Sequence, residues 1–131
     1  MTANQLGALT EARFSFEALS RGLVPNWAQI DTVGYDLVIE NQGKMARVQV
    51  KGTTPHFAAD APNAPRYQVN LSSSKLCSAS GRWDILAVFL NDLEEWYFYT
   101  RSQIPRTKGM FTIHRTGNWK DLAQGWEVFD A

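Results

Sequence analysis

The sequence predicts an α/β (α+β) protein in which helices pack on a sheet. Residues 5–20 repeat apolar side chains with the period of a helix, and residues 46–51 alternate between polar and apolar as in a half-buried strand. Residues 85–90 form an apolar run that is typical of a strand buried on both faces. The order of helix, strands, helix and strands along the chain favours this fold class.

The first half of the chain predicts a helix followed by a hairpin. The helix takes its apolar positions from Leu6, Leu9, Phe16 and Leu19, and Gly22 follows as a stop signal. Residues 36–40 indicate a strand, residues 41–44 a turn and residues 46–51 the partner strand. Side-chain alternation then places three polar residues of the second strand on one face, and these are Arg47, Gln49 and Lys51.

The second half predicts a loop, further strands and one short helix. Residues 53–65 contain three prolines and favour a loop, while residues 67–71 indicate a short strand. The serines at 72–74 are suited to cap a short helix over 75–79. A turn at 91–95, a strand at 96–99 and a strand at 110–114 follow the run at 85–90, before a terminal segment with Trp119 and Trp126.

Length and composition favour one intracellular domain over residues 1–131. Hydrophobic residues make up 44% of the 131 residues, enough for a core. Cys77 is the one cysteine, which excludes an intramolecular disulfide and a cysteine-rich zinc site. No apolar run approaches the ~20 residues of a membrane span, and no signal peptide is recognisable at the N-terminus. We therefore expect a cytoplasmic protein, or one inside an organelle.

The charges are unevenly distributed although they sum to zero. Residues 1–40 carry two basic and five acidic residues, whereas residues 41–82 carry six basic and one acidic. Residues 96–120 carry five basic and no acidic residues. A neutral total can therefore hide a basic face suited to nucleic acid, the alternative being a set of ordinary solvated charges.

Side chains suited to phosphodiester hydrolysis occur around the predicted hairpin. Asp36 offers a carboxylate, Gln49 an amide oxygen and Val50 a backbone carbonyl. A hard cation such as Mg²⁺ prefers oxygen ligands and lowers the pKa of a bound water. Lys51, about 7 Å from Gln49 at Cα by two strand rises, offers a cation that stabilises developing charge. Glu11 adds a second carboxylate if the first helix packs on the sheet.

The helix holds a second acidic residue that competes with Glu11. Glu17 lies six residues later, which places it on another side of the helix at ~100° per residue. Only one of the two can therefore face the sheet. Each residue of the set has an ordinary alternative as a solvated surface side chain.

The spacing of these residues resembles the PD-(D/E)XK nuclease motif. Asp36 is followed thirteen residues later by Gln49-Val50-Lys51, and residues 7–11 resemble the GxxxE segment of the first helix. Residues 48–52 are similar to the VxVKG core of Holliday-junction resolvases and of group I intron homing endonucleases with this fold. The resemblance covers about residues 5–105, leaves 106–131 as an extension, and implies a restriction-endonuclease-like core with a mixed central sheet flanked by helices.

The sequence departs from the motif at two positions. Tyr35 stands where the motif has proline, a change that is widespread in the superfamily. Gln49 stands where the motif has an acidic residue, as in some members. The loss of one negative charge weakens metal binding or shifts it towards Glu11, or it marks a domain that binds DNA without cutting it.

The resemblance implies a Mg²⁺-dependent endonuclease, with Mn²⁺ as a substitute, that acts on double-stranded DNA. Glu11, Asp36, Gln49 and Val50 would hold the metal, and Lys51 would orient the nucleophile. A homing endonuclease is the leading interpretation, because of the glutamine and the short chain. The alternatives are a resolvase-like nuclease for branched DNA, a non-catalytic DNA-binding module derived from a nuclease, and a structural subunit.

Partners follow from the same resemblance. Cutting both strands of a duplex favours a homo-dimer or homo-tetramer. Basic residues near the predicted face would contact DNA phosphates, which positions a duplex without reading its sequence. These residues are Arg47, Lys75, Arg101, Arg106, Lys108, Arg115 and Lys120.

Overall fold

The computed structural model describes residues 1–28, 34–71, 82–105 and 108–130. Within these ranges the chain forms eight strands, two α-helices and two short 3₁₀ helices. The helices are α1 (Ala3–Ser20), α2 (Asn118–Leu122) and the 3₁₀ helices Arg101–Gln103 and Trp126–Phe129. The strands are β1 (Val24–Trp27), β2 (Leu37–Asn41), β3 (Lys44–Thr53), β4 (His56–Ala58), β5 (Ala61–Asn70), β6 (Ile85–Leu90), β7 (Glu95–Thr100) and β8 (Met110–His114).

The strands form two sheets. The larger sheet has the order β1-β2-β3-β6-β7, in which β3 and β6 run parallel and all other neighbours run antiparallel. The smaller sheet has the order β4-β5-β8 and is antiparallel. The mixed central sheet confirms the expected fold class. The predicted helix after Ser72 lies outside the described residues.

The central strands behave as their sequences predict. All six residues of β6 are buried, since β6 has strands on both sides and packing on both faces. In β3, Val48 and Val50 are buried while Gln49 and Lys51 are half-buried on the other face. The turn between β2 and β3 has φ of 51° at Gln42 and 85° at Gly43. Positive φ at both positions matches the twist of a two-residue hairpin, which confirms the predicted turn.

Helix α1 contacts the sheet with different residues from those that its apolar pattern predicts. Its buried residues are Thr10, Phe14 and Ala18, which lie four apart and so share one face. Leu9, Phe16 and Leu19 point away from this face and are exposed at 43%, 72% and 59%, while Leu6, four residues before Thr10, is 36% exposed. The predicted helix is confirmed, but its apolar positions do not form the contact face, because the close contact of Thr10 with Gly52 orients α1 with Phe14 and Ala18 towards the sheet.

The predicted loop at 53–65 was also wrong, because β4 and the first half of β5 form there. Pro62 and Pro65 lie in β5, outside the segment 66–70 that pairs with β8. The β4–β5 ladder is itself irregular between His56 and Ala58. Proline cannot donate a ladder hydrogen bond, so it is tolerated where one side of a strand has no partner. These prolines therefore mark an edge and not a break.

The core lies on both sides of the larger sheet. On one side, Phe14 of α1 packs with Phe98 and Trp126, at ring-centroid distances of 6.3 and 5.3 Å. On the other side, β6 packs against the smaller sheet through residues that include Tyr67 and Phe111. The terminal segment contributes to both sides. No helix in the described ranges is long and apolar enough to cross a membrane.

Candidate active site

The carboxylate of Asp36 is held against β3 by two hydrogen-bond donors. The Val50 backbone N–H donates to Asp36 Oδ2 at 2.7 Å, and Gln49 Nε2 donates to the same oxygen at 3.0 Å. The backbone N–H of Asp36 donates in turn to the Val48 carbonyl at 2.9 Å. The structure therefore brings Asp36, Gln49 and Val50 together, as their spacing predicts.

The register of the hairpin explains this arrangement. Leu37 is paired with Val48, so Asp36, the residue before β2, comes opposite Gln49. Strand β2 begins at Leu37, so no earlier residue of β2 accepts a hydrogen bond from the Val50 N–H. The Asp36 side chain accepts that hydrogen bond instead. The N–H and C=O of one strand residue point to the same side. The Val50 carbonyl therefore points towards Asp36, where a cation could use it.

The segments that carry Glu11 and Lys51 meet in a tight contact between α1 and β3. Lys51 is half-buried on β3, and Gly52 follows it against Thr10. A Cβ on Gly52 would lie 2.8 Å from Thr10 Oγ1. Thr10 precedes Glu11 directly, so the segments that carry the predicted acid and the predicted lysine touch.

The direction of Glu11 on α1 agrees with a role at the sheet. Ala18, which is fully buried, follows Glu11 by seven residues, within about 20° around the helix at ~100° per residue. Glu11 is itself half-buried. The competing Glu17 has another task, because its Oε2 accepts a hydrogen bond from the indole Nε1 of Trp96. The assignment of Glu11 as the helix residue of the site stays a prediction.

The donor set fits a magnesium ion that keeps several waters. Among residues 1–28, 34–71, 82–105 and 108–130, no three or more His, Cys, Asp or Glu side chains cluster as a metal site. The predicted ligands are two carboxylates, Glu11 and Asp36, with the Gln49 amide and the Val50 carbonyl. Mg²⁺ is commonly bound through one or two carboxylates plus water and substrate phosphate, so this set fits. The Gln49 amide would need to turn to present its oxygen.

An ion pair that sequence analysis did not predict lies beside the site. Arg47, two residues before Gln49, donates through Nε and Nη2 to the two oxygens of Asp84 at 3.1 and 2.9 Å. Its backbone N–H donates to Asp84 Oδ2 at 2.8 Å. These bonds hold the pKa of Asp84 below its ordinary value and raise that of Arg47. No spacing rule would have paired residues 37 apart.

The predicted DNA-contacting residues fall into two groups. Arg47 and Arg101 lie at the start of β6, where the Arg101 guanidinium stacks 4.4 Å from the Trp83 ring centroid. Lys108, Arg115 and Lys120 lie with β8 and α2, where Lys120 Nζ donates to the Tyr97 hydroxyl at 3.2 Å. Lys75 and Arg106 lie outside the described residues. Contact with DNA stays a prediction for all seven.

Two solved structures share this fold. A bacterial homing endonuclease, I-Ssp6803I, is similar at a TM-score of 0.76, with 18% identity over 98% of this chain and 93% of that chain. The Holliday junction resolvase Hjc of the archaeal hyperthermophile Archaeoglobus fulgidus is similar at a TM-score of 0.61, with 16% identity over 93% of each chain. These identities show the fold alone. No curated protein sequence matches the chain.

The sequence itself carries the family signature. A profile described as PD-(D/E)XK endonuclease matches residues 1–116, which span Glu11, Asp36 and the Gln49–Lys51 segment. This match and the shared fold confirm the resemblance that the motif predicted. The chain therefore belongs to the PD-(D/E)XK endonuclease family.

Proposed function

We propose that the protein is a Mg²⁺-dependent endonuclease that hydrolyses phosphodiester bonds in double-stranded DNA, as a homing endonuclease does. The observation that carries this proposal is the Asp36 carboxylate, which accepts hydrogen bonds from the Gln49 side chain and the Val50 N–H. Both donors lie within two residues of Lys51 on β3. A fixed carboxylate on a segment that carries a lysine suits phosphoryl transfer, which depends on positioning and on electrostatic stabilisation.

Each residue has a role in this proposal. Glu11, Asp36 and Gln49, with the Val50 carbonyl, would hold Mg²⁺ or Mn²⁺. A bound ion would polarise the phosphate and make a bound water more acidic. Lys51 orients the attacking water through Nζ and offsets the negative charge that develops on the phosphate. Half-burial of the lysine strengthens this interaction, because the surrounding dielectric is lower than in water.

The test is cleavage of genomic duplex DNA and, in parallel, of a four-way junction, with Mg²⁺. We expect discrete duplex fragments from the wild type and none from Lys51→Ala. Lys44→Ala is the matched control, because Lys44 is an exposed lysine at the far end of the same strand. Cleavage that persists in Lys51→Ala would contradict the assigned role of this lysine.

The same experiment separates the alternatives. Cleavage of the junction alone would favour a resolvase-like nuclease. The greater structural similarity to I-Ssp6803I, with a TM-score of 0.76 against 0.61, supports the duplex-cutting proposal. If neither substrate is cut, titration calorimetry with Mg²⁺ and Mn²⁺ decides between a missing cognate site and a non-catalytic module. Intact DNA binding without metal binding would favour the latter, and no DNA binding at low salt would favour a structural subunit.

We further propose that the protein works as a homo-dimer or homo-tetramer. Each chain carries one candidate site, and a duplex has two strands to cut. The outer face of α1 offers an interface for a second copy, since Leu9 and Phe16 lie seven residues apart and Leu19 follows one turn later. These side chains are 43%, 72% and 59% exposed. Contiguous exposed apolar surface commonly marks an interaction site.

The oligomer proposal is tested by sedimentation across a concentration series. We expect Phe16→Ser to weaken association and to convert double-strand cleavage into single-strand nicking. Met45→Ser is the control, because Met45 is 70% exposed but lies on β3, away from the outer face of α1. A wild type that stays monomeric on its DNA would overturn this proposal while leaving the chemistry of the site unaffected.

A further inference from the structure

We propose that the cavity beside the end of β6 binds an unpaired nucleotide, with its base against Phe57 and Tyr97 and its phosphate at Arg115 and Lys120. The cavity has a volume of about 640 Å³ and is lined by the β4–β5 hairpin, the turn after β6, and β8 with α2. Ligand pockets commonly measure roughly 300–1,000 Å³. This size suits one nucleotide.

The walls have the chemistry that a base requires. Phe57 and Tyr97 line the cavity together with Pro62 and Pro65. Phe57 is 54% exposed, so its ring lies uncovered at the cavity. Aromatic rings next to cationic side chains are the usual platform for unpaired bases, because every base has a π face that can stack.

One polar group that lines the cavity is the Asp92 carboxylate, which Tyr67 holds in place. The Tyr67 hydroxyl donates to Asp92 Oδ2 at 3.0 Å, and both residues line the cavity. Burial, followed by the hydrogen bond to Asp92, raises the pKa of Tyr67 to about 12, so the hydroxyl remains a donor. The other Asp92 oxygen can accept from the N–H groups on the Watson–Crick edge of a base such as guanine. The N1–H of guanine is occupied in a duplex and available only in an unpaired nucleotide.

The cations supply the complement to a phosphate. Arg115 and Lys120 both line the cavity, and Lys120 Nζ is held at the Tyr97 hydroxyl, 3.2 Å away. Because Arg115 and Lys120 together outweigh the single negative charge of Asp92, these three residues give the cavity a net positive charge. A ligand with one base N–H edge and one phosphate group satisfies both the carboxylate and the cations.

The cavity adjoins the candidate active site through the sheet. Leu90, which lines it, is paired with Thr53, two residues beyond Lys51 on β3. Thr53 Oγ1 donates to the Gln68 carbonyl at 2.8 Å, next to Tyr67. Nucleotide binding does not depend on the proposed nuclease activity. Only the consequence that a bound DNA places an extruded nucleotide here, beside the cut, rests on that proposal.

The experiment measures binding in EDTA, where failure of the nuclease proposal has no influence. Calorimetry measures the affinity for dGMP, the free nucleotide. Fluorescence anisotropy measures the affinity for a labelled twelve-nucleotide single strand and for its duplex. We expect Phe57→Leu to weaken binding of the unpaired ligands about tenfold, since it removes one stacking surface. Phe57→Tyr should retain binding, and Met45→Ala, at the opposite end of the sheet, should change nothing. Circular dichroism confirms that each variant folds.

A second variant tests the phosphate contact. Lys120→Gln should reduce the advantage of dGMP over deoxyguanosine, since Arg115 alone then contacts the phosphate, and leave deoxyguanosine binding unchanged. Binding of both dGMP and the single strand would support the cavity as a general nucleotide site, and binding of the strand alone would identify DNA as the source. If neither ligand binds, or if Phe57→Leu binds as tightly as the wild type, the proposal is overturned.

Discussion

Substitution of Gly52 by alanine tests how α1 is positioned over the candidate site. The added Cβ would lie 2.8 Å from Thr10 Oγ1 and 3.3 Å from its Cγ2, closer than side chains normally approach. Thr10 is 3% exposed and its Oγ1 donates to the Leu6 carbonyl at 2.9 Å, so it cannot turn away without losing that bond. The helix must therefore move outwards.

The magnitude follows from the cost of overpacking. An extra methyl group in a closely packed contact costs about 1–3 kcal/mol of unfolding free energy. For a chain of this length, a loss of about 2 kcal/mol lowers the Tm by about 8 °C. Glu11 moves with the helix by a few tenths of an ångström relative to Lys51. Because a displacement of about 1 Å can cost about a hundredfold in rate, we expect about a tenfold loss of cleavage.

The assay is calorimetric unfolding together with cleavage. Gly7→Ala is the control, because nothing lies within 4 Å of its added Cβ and alanine raises helix propensity. It should gain up to about 1 kcal/mol. In a Thr10→Ala background the cost of Gly52→Ala should largely disappear, since the obstructing atoms are gone. A Gly52→Ala protein with an unchanged Tm, or a cost that persists beside Thr10→Ala, would refute the reasoning.

Three further outcomes are expected. Gln49→Glu places a second carboxylate beside Asp36, so it should lower the Tm in EDTA and tighten Mg²⁺ binding about tenfold, measured by calorimetry. Asp84→Asn should destabilise at neutral pH. The pKa of folded Asp84 lies below its ordinary 3.8, so the stabilisation is present above that value and disappears as the pH falls through the folded pKa; urea unfolding at several pH values measures the difference. Lys120→Ala should make the negative slope of log K against log salt for duplex binding shallower by about 0.9, and an unchanged slope would show that Lys120 contacts no phosphate.

The parts of the fold that could be predicted are those in which local pattern and final environment agree. The strand β3 alternates because one face meets the core and the other carries the site, and β6 is uniformly apolar because both faces are covered. The hairpin turn at Gln42 and Gly43 is fixed by residues that accept positive φ. With β2, these elements place Asp36 opposite Gln49, so most of the site followed from short-range information.

The wrong predictions concern environments that long-range packing decides. Leu9 and Phe16 have the pattern of a core face, but the close contact of Thr10 with Gly52 orients the helix with Phe14 and Ala18 towards the sheet. The strand around Pro62 could not be predicted from local sequence. A proline is tolerated there only because β8 pairs with residues 66–70 and does not reach Pro62. β1 is only four residues long and carries no alternating burial. The Arg47–Asp84 pair depends on the parallel alignment of β3 with β6, which no local pattern encodes.

The glutamine of the motif changes what holds Asp36 before a metal arrives. An acidic residue at position 49 would repel the Asp36 carboxylate until a cation neutralised both. Gln49 instead donates to Asp36 at 3.0 Å, so the carboxylate is already in place. Turning the amide to present its oxygen sacrifices that bond, at about 0.5–1.5 kcal/mol, which corresponds to roughly a two- to thirteenfold weaker metal affinity. If Gln49 kept its bond, the proposed metal would depend on Asp36, Glu11 and the Val50 carbonyl. In both cases the proposed site would bind metal more weakly than one with an acidic residue at position 49, but its Asp36 carboxylate is ordered in advance.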